Sequence, residues 1–297
     1  MNNQESPLIF GEVLYDHFVE DGKRVLGGAP FNVAWHLQGF GLNPVFVSRV
    51  GQDDDGARIK SSMQDHGMNI AAIQTDNDHP TGEVTITLSE GQPTFEILDN
   101  QAYDYIDERL LPDVKPLLLY HGSLGIRQPD SAKALATIID MYNPPVFIDV
   151  NLREPWWNKE TGLALFKRAS WVKINDDEIH ALVDGNASLM DKACSLRQQY
   201  DLELLILTEG KKGARAIDRS GNVYSVNPDA ETTVVDTVGA GDAFAAVCIT
   251  GILSSWPVQN TLDRAQAFAS LIVQQRGATI NDTSIYKNLL QEWAHSE

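Results

Sequence analysis

The chain has 297 residues, 43% of them apolar and 22% charged, which suits a sizeable buried core and argues against global disorder. Lys plus Arg number 23 against 41 Asp plus Glu, for a formal net charge of −18. A surface this acidic, with no basic run, makes nucleic acid and anionic membrane poor partners, though the excess acid equally serves solubility.

Taken in order, residues 1–10 carry no basic region and no long apolar stretch, so no signal peptide is expected. Apolar runs at Leu8–Gly11, Val45–Val50, Leu117–Tyr120, Val146–Val150, Trp171–Ile174 and Leu204–Leu207 predict buried strands. Helical patterns fall between them at Ala29–Gln38, Asp54–His66, Ser131–Met141, Asp176–Val183 and Ser188–Gln199. The last third adds helices near Asp242–Leu253, Thr261–Gln275 and Ser284–Ala294. Strand–helix alternation predicts an α/β fold, a doubly wound, mostly parallel sheet with helices on both faces and ligands at the carboxyl ends of its strands.

One region departs from that alternation. Gly82–Ser89 and Thr94–Leu98 alternate polar and apolar residues about Glu90-Gly91-Gln92-Pro93, a hairpin pattern, and Tyr15–Val25 is extended with a turn at Asp21-Gly22. These segments predict a small β-lid from about residues 12–26 and 82–100 on a single domain spanning 1–297. A functionless surface hairpin is the alternative.

Cys194 and Cys248 lack CxxC spacing and lie in helical apolar contexts, so no disulfide framework is expected and a cytoplasmic location is. The most apolar stretch, Ala243–Leu253, is too short to span a bilayer. Asn186-Ala-Ser188 and Asn281-Asp-Thr283 match the glycosylation pattern, which without export would carry no meaning.

The segment richest in chemistry is Asp236-Thr-Val-Gly-Ala-Gly-Asp-Ala-Phe244. A β-rich run, Thr232–Val235, leads in and a helical run leads out. Gly239 and Gly241 permit backbone conformations closed to other residues and let a ligand approach. The amides of Gly239, Ala240 and Gly241 would converge at a helix N-terminus, an anion site suited to a transferring phosphoryl group. Asp242, on the first helical turn, reads either as a helix cap or dipole partner or as a base beside that anion. The chain has no GxxxxGK[ST], no third glycine for a dinucleotide fingerprint, no HExxH and no paired CxxC, which leaves P-loop, dinucleotide and zinc readings without support. His121, at a strand end, is expected to be structural.

The string Asp236–Asp242 resembles the C-terminal signature of the ribokinase-like (PfkB) carbohydrate kinases, and Gly27-Gly28-Ala-Pro-Phe-Asn32-Val-Ala34, ending in Gly39-Phe-Gly41, resembles their N-terminal one. The resemblance is close to full-length. It implies a ribokinase-like fold and an ATP-dependent transfer with Asp242 as base. By the same resemblance Asp16 at the end of the first strand, Gly27, Gly28 and Asn32 hold the sugar, although helix capping would also account for Asn32. Gly28-Ala-Pro30 resembles fructokinase-like members and adds no basic residue for a substrate phosphate. That favours a free sugar, best fructose.

Asp149-Val-Asn151-Leu-Arg153 with Pro155-Trp-Trp157 resembles a stretch of fructokinases and 2-keto-3-deoxygluconate kinases, with Val150 and Trp156 in place of the usual Pro and Leu. It makes Arg153 a cation near the phosphate or substrate, or else half of a surface salt bridge. Asn175-Asp-Asp-Glu178 resembles the element that organises Mg²⁺, often through water, and equally a capped helix start. Thr208-Glu-Gly210-Lys-Lys-Gly213 resembles the loop against the nucleotide. Asp236 with the Gly277-Ala278 turn resembles a K⁺ loop, and a homodimer through lid strands is implied. The same chemistry on 2-keto-3-deoxygluconate, another sugar or a nucleoside, and a non-catalytic sugar-binding regulator, remain as alternatives.

Overall fold

The computed structural model describes residues 5–89, 92–229 and 232–295. A nine-stranded sheet is built from β1 (Ser6–Phe10), β4 (Val45–Gly51), β5 (Ile73–Asp76), β8 (Pro116–His121), β9 (Val146–Asp149), β10 (Trp171–Asn175), β11 (Leu204–Thr208), β12 (Ala214–Asp218) and β13 (Val223–Val226). Its order is β13-β12-β11-β10-β9-β8-β1-β4-β5. All neighbours pair in parallel except at the β11–β12 and β12–β13 edge.

The two faces explain the continuous apolar runs. One core holds Ile9, Phe46, Tyr120, Phe147 and Ile206 against α1 (Ala29–Gly39), α2 (Asp54–Asp65), α7 (Ala240–Leu253), α8 (Val258–Ile272) and α9 (Thr283–Ala294). The other holds Leu8, Phe10, Leu119, Ile148, Val172 and Leu205 against α3 (Pro129–Tyr142), α4 (Lys159–Leu165), α5 (Asp176–Leu182) and α6 (Leu189–Gln199). A strand buried on both faces has no polar side to alternate with. The α/β doubly wound architecture and the expected parallel strands and long helices are therefore observed, with ends displaced by one to a few residues.

Three strands and one helix escape prediction. β5 is a four-residue edge strand with sequence IQTD, β12 and β13 form an antiparallel edge, and α4 is a single short helix started by Asn158, whose side chain accepts from Thr161 N. Each is too short for its periodicity to stand out.

A second sheet has the order β3-β2-β6-β7, from β2 (Leu14–Phe18), β3 (Lys23–Gly27), β6 (Gly82–Ser89) and β7 (Gln92–Ile97). β6 and β7 pair antiparallel as expected from alternation, although Glu90-Gly91 of the anticipated turn lies outside the described residues. A small apolar cluster of Leu14, Val84, Ile86, Tyr103 and Leu124 seats this sheet on the main body. Among the described residues no helix is long and apolar enough to cross a membrane.

Candidate active site

The chain runs from β1 outward to β4 and β5 on one side and to β8 through β11 on the other, so strand order reverses between β1 and β8. A crevice opens at such a switch point, beyond the carboxyl ends of the strands. Gly11-Glu12 follows β1, His121 ends β8, Asp149 ends β9, Asn175 ends β10 and Thr208 ends β11. His121 is the structural residue anticipated: its Nδ1 donates to Gly122 O at 2.9 Å, and burial pulls its pKa down to about 4.

The glycine turn closes over this edge. The run Thr232–Val235 is not a strand. The N–H groups of Val235 and Asp236 both donate to Val273 O, at 2.7 and 3.1 Å, so the end of α8 rather than a sheet satisfies them. Gly239 is the N-cap of α7 with φ 80°. A Cβ there would lie 2.5 Å from Ala278 Cα, so only glycine lets the turn rest on the Gly277-Ala278 backbone. Asp236 ties the two turns together, accepting from Val238 N at 3.0 Å and Gly277 N at 3.2 Å. Behind them His36 Nε2 donates to Ala278 O and Trp35 Nε1 to Ile280 O, both at 2.9 Å, anchoring the turn to α1.

Among the described residues the N–H groups of Gly239, Gly241 and Asp242 have no acceptor, whereas Ala240 N–H donates to Thr237 O at 3.3 Å. The amides left open to an anion are therefore the flanking ones rather than that of Ala240. Gly239→Ala is expected to cost about 1–3 kcal/mol through backbone strain and to raise the KM for nucleotide more than that for the second substrate. Thermal melts and steady-state kinetics check both.

Asp242 stands in the first turn of α7, where its charge suits the helix dipole, but the N-cap is Gly239 and the Asp242 carboxylate does not cap the helix. Its Oδ2 instead accepts from Asn32 Nδ2 at 2.8 Å, across 210 positions of sequence. Asn32 is likewise no cap, because α1 starts behind Gly28. The two signatures meet in this one hydrogen bond. Burial raises the Asp242 pKa to about 7, opposed by the Asn32 bond, reinforced by Asp149 and relieved by Lys173 and Arg153. A carboxyl with a pKa near neutrality is matched to proton transfer.

Below the turn lies a group that sequence reasoning missed. Lys173 Nζ donates to both oxygens of Asp149, at 2.9 and 2.8 Å, with the residues 7% and 3% exposed. The two are register partners on adjacent strands. Lys173 Nζ is 3.3 Å from the place of a Cβ on Gly241, so this ion pair underlies the first turn of α7. A lone Lys inside an otherwise apolar strand, Trp171-Val-Lys-Ile174, was the available signal, because a buried ammonium requires a carboxylate. Glu12 was missed as well. It is 2% exposed, its Oε2 has no partner, and burial pushes its pKa up to about 7.

Asn175 and Glu178 form a capping box: Glu178 N donates to Asn175 Oδ1 at 2.8 Å and Asn175 N to Glu178 Oε2 at 2.9 Å, while Leu152 N donates to Glu178 Oε1 at 3.0 Å. Thr208 is the register partner of Asn175, which brings the expected nucleotide loop beside it. Gly210 and Gly213 take φ 52° and 88°, and a Cβ on Gly213 would meet Val226 O at 2.0 Å.

Asp16 is not at the end of β1. The chain leaves the main sheet at Phe10, and Asp16 lies on β2 of the small sheet. Gly27 is beside it, where a Cβ would be 3.2 Å from Asp16 Oδ2, and Gly28 (φ 109°) leaves 2.8 Å between such an atom and Glu12 O. Burial raises the Asp16 pKa to about 6, with Arg153 opposing. Arg153 is exposed, has no salt bridge among the described residues, and its charge acts on Glu12, Asp16 and Asp242 together. A simple surface pair does not account for that placement.

A family model described as "pfkB family carbohydrate kinase" matches residues 12–284. A probable chloroplastic fructokinase-6 of Arabidopsis thaliana is 30% identical over 93% of this chain and 80% of its own length. A fructokinase of Escherichia coli is 28% identical over 91% of this chain and 94% of its own. Among solved structures, a fructokinase from Vibrio cholerae, bound to fructose, ADP and calcium, superposes with a TM-score of 0.82 at 23% identity, covering 97% of this chain and 100% of that one. At that identity the likeness shows the fold.

Proposed function

The chain belongs to the pfkB family of carbohydrate kinases and is a sugar kinase, and from that premise we propose that it transfers the γ-phosphoryl group of ATP to a hydroxyl of free fructose through Asp242. The observation that carries this reading is the Asp242 carboxyl, with a pKa near 7, beside the acceptor-free amides of Gly239 and Gly241 and held by Asn32.

In this reading Asp242 takes the proton of the attacking hydroxyl as its oxygen bonds to the γ-phosphorus and the bond to the β-phosphate oxygen breaks, releasing ADP. The amides of Gly239 and Gly241, with Arg153 from the loop after β9, stabilise the transferred charge. Asp16, Gly27, Gly28 and Asn32 orient the sugar. Thr208, Gly210 and Gly213 line the nucleotide. The small sheet acts as a lid that excludes water, which otherwise competes as acceptor. The whole chain then works as one kinase domain.

Mg²⁺ bound with the nucleotide supplies charge neutralisation of its phosphates. Each Glu178 oxygen already accepts one backbone N–H and keeps a lone pair, which fits Asn175 and Glu178 to holding Mg²⁺ through water. Asp236 likewise keeps a lone pair on each oxygen for K⁺. A homodimer would form through the small sheet, where Val19 (49%) and Phe95 (61%) are exposed.

Fructose is preferred to other sugars because the curated relatives are fructokinases and because Gly28-Ala-Pro30 offers no cation for a substrate phosphate. The test is phosphoryl transfer from MgATP across fructose, 2-keto-3-deoxygluconate, ribose and a nucleoside. The highest kcat/KM is expected for fructose. A higher value for another acceptor would discard the substrate and keep the chemistry, and sugar binding without turnover would favour a regulator.

A further inference from the structure

Gly39 of the N-terminal signature has no part in the transfer described above. It lies in the last turn of α1, and a Cβ on it would stand 2.5 Å from Tyr286 Cζ. The missing side chain admits the Tyr286 ring of α9, which is fully buried with Phe40 and Phe268 around it. Its hydroxyl lies 2.9 Å from His36 Nδ1, across 250 positions of sequence. The other ring nitrogen of His36, Nε2, lies 2.9 Å from Ala278 O. Two helices and the turn at Gly277-Ala278 thus meet at one imidazole, itself fully buried with Phe268 edge-on at 5.0 Å.

The direction of each bond follows from what the partners can do. A carbonyl oxygen only accepts, so Nε2 carries the proton. Burial pulls the His36 pKa down to about 3, so the ring is neutral and has a single N–H to give. Nδ1 is therefore bare, and the Tyr286 hydroxyl donates to it. The tautomer of an imidazole is set by the bond its other nitrogen makes. Without that hydroxyl the proton is free to move to Nδ1, which would leave two lone pairs, those of Nε2 and Ala278 O, facing one another.

The Ala278 carbonyl belongs to the floor of the glycine turn. Gly239 rests on the Ala278 backbone, and Asp236 accepts from both Val238 N and Gly277 N. Trp35, beside His36, holds Ile280 O in the same way. One turn earlier on the same face of α1, Asn32 donates to Asp242. The face of α1 that holds the base therefore also holds the backing of the open Gly239 and Gly241 amides.

We infer that Tyr286 is a positioning residue for phosphoryl transfer: by keeping His36 in its Nε2–H form it fixes the Ala278 carbonyl, and so seats the Gly239 and Gly241 amides against the phosphoryl group. This rests on the reading of those amides as the anion site, and the experiment separates the two.

Tyr286→Phe keeps the ring beside Gly39 and removes only the hydroxyl. His36→Gln offers Ala278 O an amide N–H that depends on no tautomer. These two, their double variant and Gly239→Ala are assayed with MgATP and the preferred sugar below the melting temperature of each, and nitrogen NMR of the imidazole rings reads the tautomer. Wild type should show His36 as Nε2–H, and Tyr286→Phe a mixture with the Nδ1–H form. In Tyr286→Phe the KM for ATP is expected to rise about three- to tenfold, the range of one hydrogen bond, with the KM for sugar unchanged. In the His36→Gln background the same substitution should raise it by less than about twofold, because the two residues act in series. An Nδ1–H form in wild type, equal changes in both KM values, or a full-sized effect of Tyr286→Phe in the His36→Gln background overturns the positioning role. An ATP KM that rises in Gly239→Ala and not in Tyr286→Phe also overturns it, and leaves the anion site standing. One that rises in neither overturns both.

Discussion

Asp242→Asn is expected to lower kcat by at least about a hundredfold, the scale of a general base, without unfolding the protein. The amide oxygen still accepts from Asn32, so the contact between the two signatures survives. The wild-type carboxyl must be ionised to take a proton, and its pKa lies near 7 because of burial. Wild-type kcat/KM should therefore climb with pH through about 7 and level off, and the residual activity of the variant should lack that limb.

Stability should move the other way. The folded pKa values of Asp242 and Glu12 are both raised to about 7, from ordinary values of 3.8 and 4.5. Between those values the native state holds protons that the unfolded chain has released. The two groups thus favour folding most at pH below about 4, and that contribution is lost as pH rises through about 7. Asp242→Asn removes its share of the loss, so relative to wild type it should melt higher at pH 8 than at pH 6. Near-normal turnover in this variant would sink the assignment of the base, whatever the melts show.

Lys173→Met should be the most destabilising of these substitutions. It strands the Asp149 carboxylate in a site where both residues are more than nine-tenths buried. Leaving half of a buried pair costs about 3–5 kcal/mol. The double variant Asp149→Leu with Lys173→Met should recover much of that, since an apolar pair can replace a buried ionic one.

Activity adds an independent readout. The groups acting on Asp242 are Asn32 from α1, Asp149 from β9, Arg153 from the loop after β9 and Lys173 from β10, with Glu12 after β1 and Tyr120 on β8 also sensing its charge. Losing Lys173 removes a cation that holds the base down, so the acid limb should shift to higher pH. In the double variant the limb should return towards wild type, because Asp149 pushes in the opposite direction. Denaturant melts and pH profiles of the three proteins check this. A single variant as stable as wild type would show that the pair does not hold the floor of the site.

The sequence by itself determined the layered α/β architecture, because strands covered on both faces read as unbroken apolar runs and helices as a separate period. It also located the glycine turn at 239–241, where the positive φ of Gly239 leaves glycine as the residue that fits. Local chemistry suffices for such features. The Asn32–Asp242 bond, Asp16 on the small sheet rather than on β1, and the Asp149–Lys173 pair were decided only in tertiary structure. Each depends on distant residues being brought within a few ångströms of one another, and so does the desolvation that lifts the carboxyls of Asp242 and Glu12 towards neutrality. Thr232–Val235 marks the boundary between the two: its β-branched residues carry a strand propensity, but the nearest open acceptor was the end of α8, and the local preference yielded to it.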